Sequence, residues 1–423
     1  MQAWKRLLFT ALLLVIAARF ASAGELPTAK PTEVGLDADK LQQARDAVKA
    51  LIDKKQMAGA VIAVARHGKV VMVEALGEME AGSGRVMKPD AIVRIYSMTK
   101  PITTVAAMIL VDEGKIGLDD PVSKYLPEFK NVHVLAGKAD SDETVEAKRA
   151  PTIRDLMRHT AGLTYGNFGN RAIEEQYKKA GIFTTPGDAL QDTIVKLARL
   201  PLRFQPGTRW HYSASVDVLG RVVEVASGKP LDEFFAERIF KPLDMKDTGF
   251  FVPQDKLDRF AAVHGLDKQN KVAVTETAEK SRYRNKPRLL SGGGGCVGTA
   301  RDYLRFCQMM LNGGELDGVR ILKGETVAEM TKNQLPEEAM KAKNGGRADV
   351  GHGFGLGFGV CVGKDDPKQA SVVGEYYWAG AASTHFWIAP KQELIVVAME
   401  QFMPNRTKLL VAIKPLIYQA VKE

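Results

Sequence analysis

Cysteine is scarce in this chain: Cys296, Cys307 and Cys361 are the three it has in 423 residues. An odd number, with no C-x-x-C pair and no metal-ligand spacing, implies neither a disulfide framework nor a zinc site. Cys307 falls on the apolar face of a helical pattern with Leu304 and Leu311, so buried structural thiols are expected. Several catalytic signatures are missing too. There is no G-x-S-x-G elbow, which sets aside an α/β-hydrolase, and no H-E-x-x-H metal motif. The segment "ASGKP" lacks the spacing and the hydroxyl of a P-loop. Basic runs and zinc-finger spacings are also absent, so a nucleic-acid partner is not expected.

Charge is present but scattered. The formal net charge is +9, and the first 23 residues hold three bases and no acids, so their removal leaves +6. That first segment, "MQAWKRLLFTALLLVIAARFASAGELP", reads as a secretory signal. Lys5 and Arg6 form its charged start, Leu7 to Ala18 its apolar core, and Ala21-Ser22-Ala23 the small residues before cleavage at Gly24. The apolar run is too short to span a bilayer, Arg19 interrupts it, and no cysteine awaits a lipid. An exported protein, periplasmic or secreted, with no stable membrane anchor after signal removal is expected.

Hydrophobic periodicity gives the outline of the fold. Leu41, Ala44, Val48, Leu51 and Ile52 predict an amphipathic helix over 37–53, and "AVIAVA", a turn at 66–69 and "VVMVEA" predict a hairpin. Near the other end, "ASVVGEYYW", "STHFWIAP" and "LIVVAME" read as three more strands, before a helix over 406–421 interrupted at Pro415. Helices dominate between about 120 and 290, and there is no internal repeat. The expected architecture is α+β: an antiparallel sheet flanked by helices, built from both ends of the chain, beside a mostly helical inserted domain. In numbers, a signal peptide at 1–23 precedes one domain at 24–423, with an α/β part at about 24–120 and 290–423 and a helical part at about 121–289.

The chemistry is concentrated in a few short stretches. In "RIYSMTKPITTVAAMILVDEGK", Met98, Ile102, Val105, Ile109 and Leu110 recur at helical intervals, and Pro101 fits only a first turn, so a helix starts near Ser97 and ends near Gly114. Residues three apart share a helix face, which brings Lys100 towards the Ser97 hydroxyl. A serine nucleophile needs a nearby proton acceptor, and a helix N-terminus favours a developing oxyanion. This is the single S-x-x-K match in the chain; alone, it also fits a capping serine followed by a surface lysine.

Two further stretches add weight. Val218, Leu219, Val222, Val223 and Ala226 mark a helix ending at Gly228, which leaves Tyr212 in the loop before it. A tyrosine held there near a lysine can accept and return a proton. In "YYWAGAASTHFWIAP" a strand reaches Trp378-Ala379-Gly380, and the small residues after it let a substrate approach backbone N–H groups. The bland alternatives are a packed tyrosine and a tight hairpin turn. The run Gly292 to Gly295 is expected as a flexible active-site wall leading to a capping box at Thr299 and Asp302. His159 is expected to be structural.

Ser97-Met98-Thr99-Lys100, Tyr212-Ser213 and Trp378-Ala379-Gly380, in that order, resemble the serine hydrolase family of class C β-lactamases, D-alanyl-D-alanine carboxypeptidases and family VIII carboxylesterases. "GLDDPVSKYLPE", "TIRDLMRHTAGL", "YSASVDVLGRVVE" and "GGGGCVGTARDYLRF" look like family segments as well, so the resemblance covers nearly the whole mature chain. It implies the β-lactamase/transpeptidase-like fold, with Ser97 as nucleophile and Lys100 and Tyr212 sharing the base role. It also implies an oxyanion hole from the N–H groups of Ser97 and Ala381, with Trp378 and Gly380 at the substrate, and no cofactor or metal.

Two departures direct the expectation of substrate. Where family lactamases carry asparagine two residues after the tyrosine this chain has Ala214, and Trp378 stands where they carry the lysine of a Lys-Thr-Gly box. Alanine and tryptophan cannot replace an amide anchor or a carboxylate-pairing cation. A small ester is therefore the expected substrate, closest to the family VIII carboxylesterases. The alternatives are a β-lactamase or D-amino-acid peptidase acting on amides, and a non-catalytic cell-wall or peptide-binding relative.

Overall fold

The computed structural model describes residues 24–136, 143–166, 171–341, 351–363 and 370–422; the expected signal segment lies outside them. A seven-stranded antiparallel sheet forms the platform. Its strands are β1 (Gly59–Arg66), β2 (Lys69–Gly77), β3 (His352–Phe354), β4 (Gly359–Cys361), β5 (Tyr376–Ala379), β6 (Thr384–Ala389) and β7 (Leu394–Glu400). They lie side by side in the order β3-β4-β5-β6-β7-β1-β2, so the two ends of the chain meet where β1 pairs with β7.

Alternation along the central strands decides what covers each face. Ala60, Ile62 and Val64 of β1, with Val396 and Ala398 of β7, join a core beneath α1 (Ala38–Asp53) and the carboxy-terminal helix α5 (Lys408–Ala420). Val61, Ala63, Val397 and Met399 face the main core on the other side, which α4 (Ala300–Leu311) covers. Burial of both faces makes β1 an unbroken apolar run, and each large aliphatic side chain buried there contributes about 1.5–3 kcal/mol. Asp37 starts α1 by accepting the amides of Asp39 at 2.9 Å and Lys40 at 3.2 Å. The β1–β2 turn places His67 and Gly68 at φ 52° and 73°, the left-handed pair that a two-residue hairpin needs.

The intervening segment carries helices Ile153–Met157, Arg171–Ala180, Leu190–Ala198, α3 (Ser215–Ser227) and Leu231–Phe235, with two short antiparallel pairs, His133–Leu135 with Thr144–Glu146 and Val263–Leu266 with Val272–Glu276. Helix α2 (Thr99–Asp112) packs chiefly on α3, although it precedes that segment in sequence.

Three expectations need adjustment. The strand expected from 370 starts only at Tyr376, because Gly374 at φ 91° and the Glu375 amide bonded to the Val372 carbonyl at 3.0 Å form a turn. The capping box at Thr299 is only half made. Thr299 accepts the Asp302 amide at 3.1 Å, but the Asp302 carboxylate turns away to the Asp247 amide and the Thr248 hydroxyl, both at 2.8 Å. The glycine run is a wall, but a fixed one, as its bonds to Asp217 and Lys100 show below. All three cysteines are free and buried, as expected.

His385 of β6 is 4 % exposed, and burial depresses its pKa to about 4, against a weaker opposing hydrogen bond to the Arg406 backbone. A histidine held neutral in the fold and ordinary in the unfolded chain destabilises the fold as pH drops below its ordinary value of about 6.5. Asp302, raised by burial to about 6, acts in the opposite sense, so the comparison is with a variant. In denaturant titrations at pH 7 and pH 5, His385→Gln is expected to lose about 2 kcal/mol less stability than the wild type; equal losses would refute the buried-neutral assignment.

Candidate active site

Ser97 sits in a single 3-10 turn, Tyr96–Met98, that feeds α2. Tyr96 there has φ 41°, a left-handed conformation that a bulky residue adopts only when its surroundings hold it. The restraints are visible: the Met98 amide donates to the Ile95 carbonyl at 3.0 Å, and the Tyr303 hydroxyl donates to the Met98 carbonyl at 2.9 Å. The sharp entry leaves Ser97 half-buried at the edge of a cavity while Met98 and Thr99 are buried.

The structure brings Ser97, Lys100 and Tyr212 together as expected. Lys100, in the first turn of α2 and 1 % exposed, donates from Nζ to Ser97 Oγ at 3.3 Å and to the Gly293 carbonyl at 2.6 Å. The Tyr212 hydroxyl lies 2.5 Å from Ser97 Oγ, and Lys100 Nζ lies 4.6 Å from the Tyr212 ring centre. One hydroxyl therefore has two proton-exchanging neighbours within reach, the arrangement an activated serine requires.

The glycine run is the second support of Lys100. Gly293 offers its carbonyl to Lys100 and its amide to Asp217 Oδ1 at 3.0 Å, while Gly292 accepts from Thr103 Oγ1 at 2.6 Å. A Cβ on Gly293 would meet Asp217 Oδ2 at 2.2 Å, and one on Gly292 would meet the Val216 carbonyl at 2.8 Å. Only glycine permits this approach. Asp217 also accepts from the Ser291 hydroxyl and, at 3.4 Å, from the Tyr165 hydroxyl. Burial raises the Asp217 carboxyl above its ordinary pKa against the pull of the Lys100 charge and these donors. Burial first, and the Asp217 charge second, push the Tyr165 phenol up as well.

The opposite wall comes from the sheet. Trp378, near the end of β5, packs its ring 5.6 Å from that of Tyr212 and 5.1 Å from that of Phe354. A Cβ on Gly380 would stand 2.4 Å from the Ile95 carbonyl, so glycine there lets β5 close on the strand leading to Ser97. The Gly380 amide is spent on the Thr384 carbonyl at 2.8 Å, whereas among the described residues the amides of Ser97 and Ala381 have no acceptor. Ser97, Tyr212, Trp378, Gly380 and Ala381 border one cavity of about 730 Å³, whose far wall is formed by Leu410, Val411 and Lys414 of α5. Lys414 is held by Glu375 at 2.6 Å. Among the described residues no cluster of three His, Cys, Asp or Glu side chains is spaced for a metal.

His159 is structural in its contacts: Nδ1 lies 3.2 Å from Ser213 Oγ, and its ring packs 5.0 Å from that of Tyr212. Sequence reasoning missed Asp217, Tyr165 and Asn405. An acid within the apolar stretch Val216, Val218 and Leu219 was the available signal for Asp217. Nothing local marks Asn405, whose partner is 25 residues away.

Comparison with known proteins identifies the family. The sequence model of the Beta-lactamase family matches residues 44–412. The protein Rv1367c of Mycobacterium tuberculosis is 36% identical over 366 residues, covering 85% of this chain and 89% of its own. Esterase EstB of Burkholderia gladioli is 32% identical over 388 residues, covering 85% and 90%. Among solved structures, EstCE1, described as a hydrolase with promiscuous acyltransferase activity, superimposes with a TM-score of 0.76 at 27% identity, covering 90% of this chain and 98% of its own.

Gly293 links the buried acid to the buried lysine, so Gly293→Ala has a defined consequence. The added Cβ displaces the Asp217 carboxylate or the loop, and Lys100 loses its carbonyl anchor. A displacement of about 1 Å in a catalytic group costs about 100-fold in rate, so kcat is expected to fall by about that factor, with a lowered melting temperature. A Gly293→Ala protein with wild-type kcat would contradict the anchoring of Lys100 through this carbonyl.

Proposed function

This chain belongs to the β-lactamase family and is a serine hydrolase, and on that premise we propose that it cleaves small carboxylic esters through an acyl-enzyme on Ser97. The observation that carries the reading is the 2.5 Å contact between the Tyr212 and Ser97 hydroxyls with Lys100 Nζ 3.3 Å away on the same oxygen. Ser97 Oγ attacks the ester carbonyl carbon while its proton passes to the Lys100–Tyr212 pair. The carbonyl oxygen takes up the negative charge and faces the Ser97 and Ala381 amides. The bond to the alcohol oxygen then breaks, and the leaving alkoxide receives the proton from Tyr212. Water repeats the sequence, releasing the carboxylic acid and restoring the Ser97 hydroxyl.

Trp378 and Ala214 support an ester over a lactam or a peptide. Ala214 is fully buried at the start of α3 and offers nothing to a substrate amide. Trp378 presents an aromatic wall in the place of a cation, and Lys414, at the far wall, is already paired with Glu375. A charge-assisted contact to a substrate carboxylate is worth about 1.5–3 kcal/mol, or about 10- to 150-fold in kcat/KM when it acts in the transition state. Ester cleavage survives the loss of that anchor because the leaving alkoxide needs only the proton relay.

With p-nitrophenyl acetate and butyrate, turnover is expected at a kcat/KM at least about 100-fold above that for a chromogenic cephalosporin. Ser97→Ala is expected to abolish turnover and labelling by a fluorophosphonate, and the label should map to Ser97 in the wild type. Equal rates on cephalosporin and ester would replace the esterase reading with the β-lactamase one, and a label elsewhere would remove Ser97 from the mechanism. No turnover of any acyl substrate would favour the binding-protein alternative.

Localisation is part of the same proposal: the charged, apolar and small-residue order of residues 1–23 supports export. Protein recovered from periplasm or medium is expected to have an intact mass starting at Gly24; recovery of full-length chain in the membrane fraction alone would refute this.

A further inference from the structure

The Ala381 amide serves an oxyanion only if the peptide carrying it is held in one orientation. Asn405 Nδ2 donates to the Gly380 carbonyl at 2.5 Å, and the Gly380–Ala381 peptide is trans. In a trans peptide the carbonyl and the following N–H point in opposite directions. The bond that fixes the Gly380 oxygen therefore fixes the direction of the Ala381 N–H, which has no acceptor among the described residues. We infer that Asn405 is a positioning residue for the oxyanion hole: its side-chain amide holds and polarises the Gly380–Ala381 peptide so that the Ala381 N–H meets the oxygen of the tetrahedral intermediate on Ser97.

The loop carrying Asn405 is laced to the β5–β6 turn. The Phe402 amide donates to the Ala382 carbonyl at 3.0 Å, the Ser383 hydroxyl to the Phe402 carbonyl at 2.9 Å, and the Arg406 amide to Ser383 Oγ at 3.0 Å. Ser383 itself has φ 64°, a left-handed conformation held by these bonds. The Arg406 guanidinium pairs with Glu400 at the end of β7, which ties the same loop to the sheet. From the other side, the Ile95 carbonyl closes on Gly380. The peptide thus lies between two fixed walls, and its carbonyl accepts from the Ser383 amide at 3.2 Å within the turn and, at the shorter distance of 2.5 Å, from Asn405 Nδ2, the side-chain donor of the pair. Turning the amide over would set Oδ1 against the Gly380 oxygen, so only one orientation of Asn405 satisfies the contact. A donor on the carbonyl also strengthens the N–H of the same peptide as a hydrogen-bond donor.

This inference rests on Ser97 as nucleophile and not on which ester is preferred. Phenylboronic acid separates the two, because it forms a tetrahedral adduct on a serine hydroxyl with a boron-bound oxygen at the oxyanion position. Inhibition of the wild type by phenylboronic acid tests the Ser97 reading independently of Asn405. Loss of an oxyanion donor costs about 100- to 1,000-fold in kcat, and a donor left in place but misaimed costs less. Asn405→Ala is expected to lower kcat for p-nitrophenyl butyrate by about 10-fold with KM within about twofold, and to weaken phenylboronic acid by a similar factor. Asn405→Asp sets an acceptor against the Gly380 carbonyl and is expected to lose more than Asn405→Ala. Melting curves of both variants identify any folding defect. A loss carried by KM alone, with boronate affinity intact, would make Asn405 a ground-state substrate contact, and unchanged kinetics in both variants would remove it from the site; either overturns the inference. A wild type insensitive to phenylboronic acid would overturn the Ser97 reading and this inference with it.

Discussion

Burying an amine beside a nucleophile is the constraint on which the site depends. Lys100 is 1 % exposed, and a buried polar head left without acceptors would cost several kcal/mol. The chain answers with the Gly293 carbonyl and Ser97 Oγ. To bring that carbonyl in, residues 292 and 293 must lack side chains, and Asp217 must hold the Gly293 amide. Asp217 is then itself a buried acid, and Ser291 and Tyr165 supply its remaining donors. Each solution creates the next demand, and the sequence meets them with a glycine run and an acid in the first turn of α3. A half-satisfied network of this kind would be worse than an apolar core, which explains why these polar residues occur together where α2, α3 and the glycine run meet.

The sheet supplies the opposite requirement, rigidity at a backbone amide. Strand β5 ends where Gly380 presses on the Ile95 carbonyl, two residues before Ser97. The nucleophile and the Ala381 amide are therefore set relative to each other by main-chain contact, with no side chain between them. The tyrosine arrives on the loop ahead of α3 and packs against three rings, His159 at 5.0 Å, Tyr165 at 5.5 Å and Trp378 at 5.6 Å. Three elements distant in sequence converge because α2 packs on α3 while β1 pairs with β7.

Elements whose residues follow a strong period are legible in the sequence itself. The helix at 38–53, the β1–β2 hairpin, β6, β7 and the cavity's Ser97, Lys100 and Tyr212 all come from short-range patterns or ordered motifs. Strands β3 and β4 are not legible, since "HGF" and "GVC" are three residues each and glycine-bearing, too short for alternation to show. The glycine wall is legible as a wall but not as a fixed one, because its rigidity comes from Asp217 and Lys100, 76 and 193 residues away. Asn405 is the extreme case: its effect passes through one main-chain peptide and leaves no pattern in the neighbouring sequence.

The reacting groups and the substrate anchors occupy separable parts of this scaffold. Ser97 and Lys100 depend on the Gly293–Asp217 network and on helix packing, in which the Ala214 side chain makes no hydrogen bond, while the Trp378 indole touches the relay through its packing against Tyr212. A change of side chain at Ala214 therefore alters what is held without disturbing how a proton is moved, whereas a change at Trp378 also reaches Tyr212 through the ring contact. A tryptophan at this wall offers aromatic surface where a lysine would offer a charge, and its ring packs 5.6 Å from that of Tyr212. This separation of relay from anchor gives a physical reason why one fold hosts both lactam and ester chemistry, with the choice resting on residues at the cavity wall.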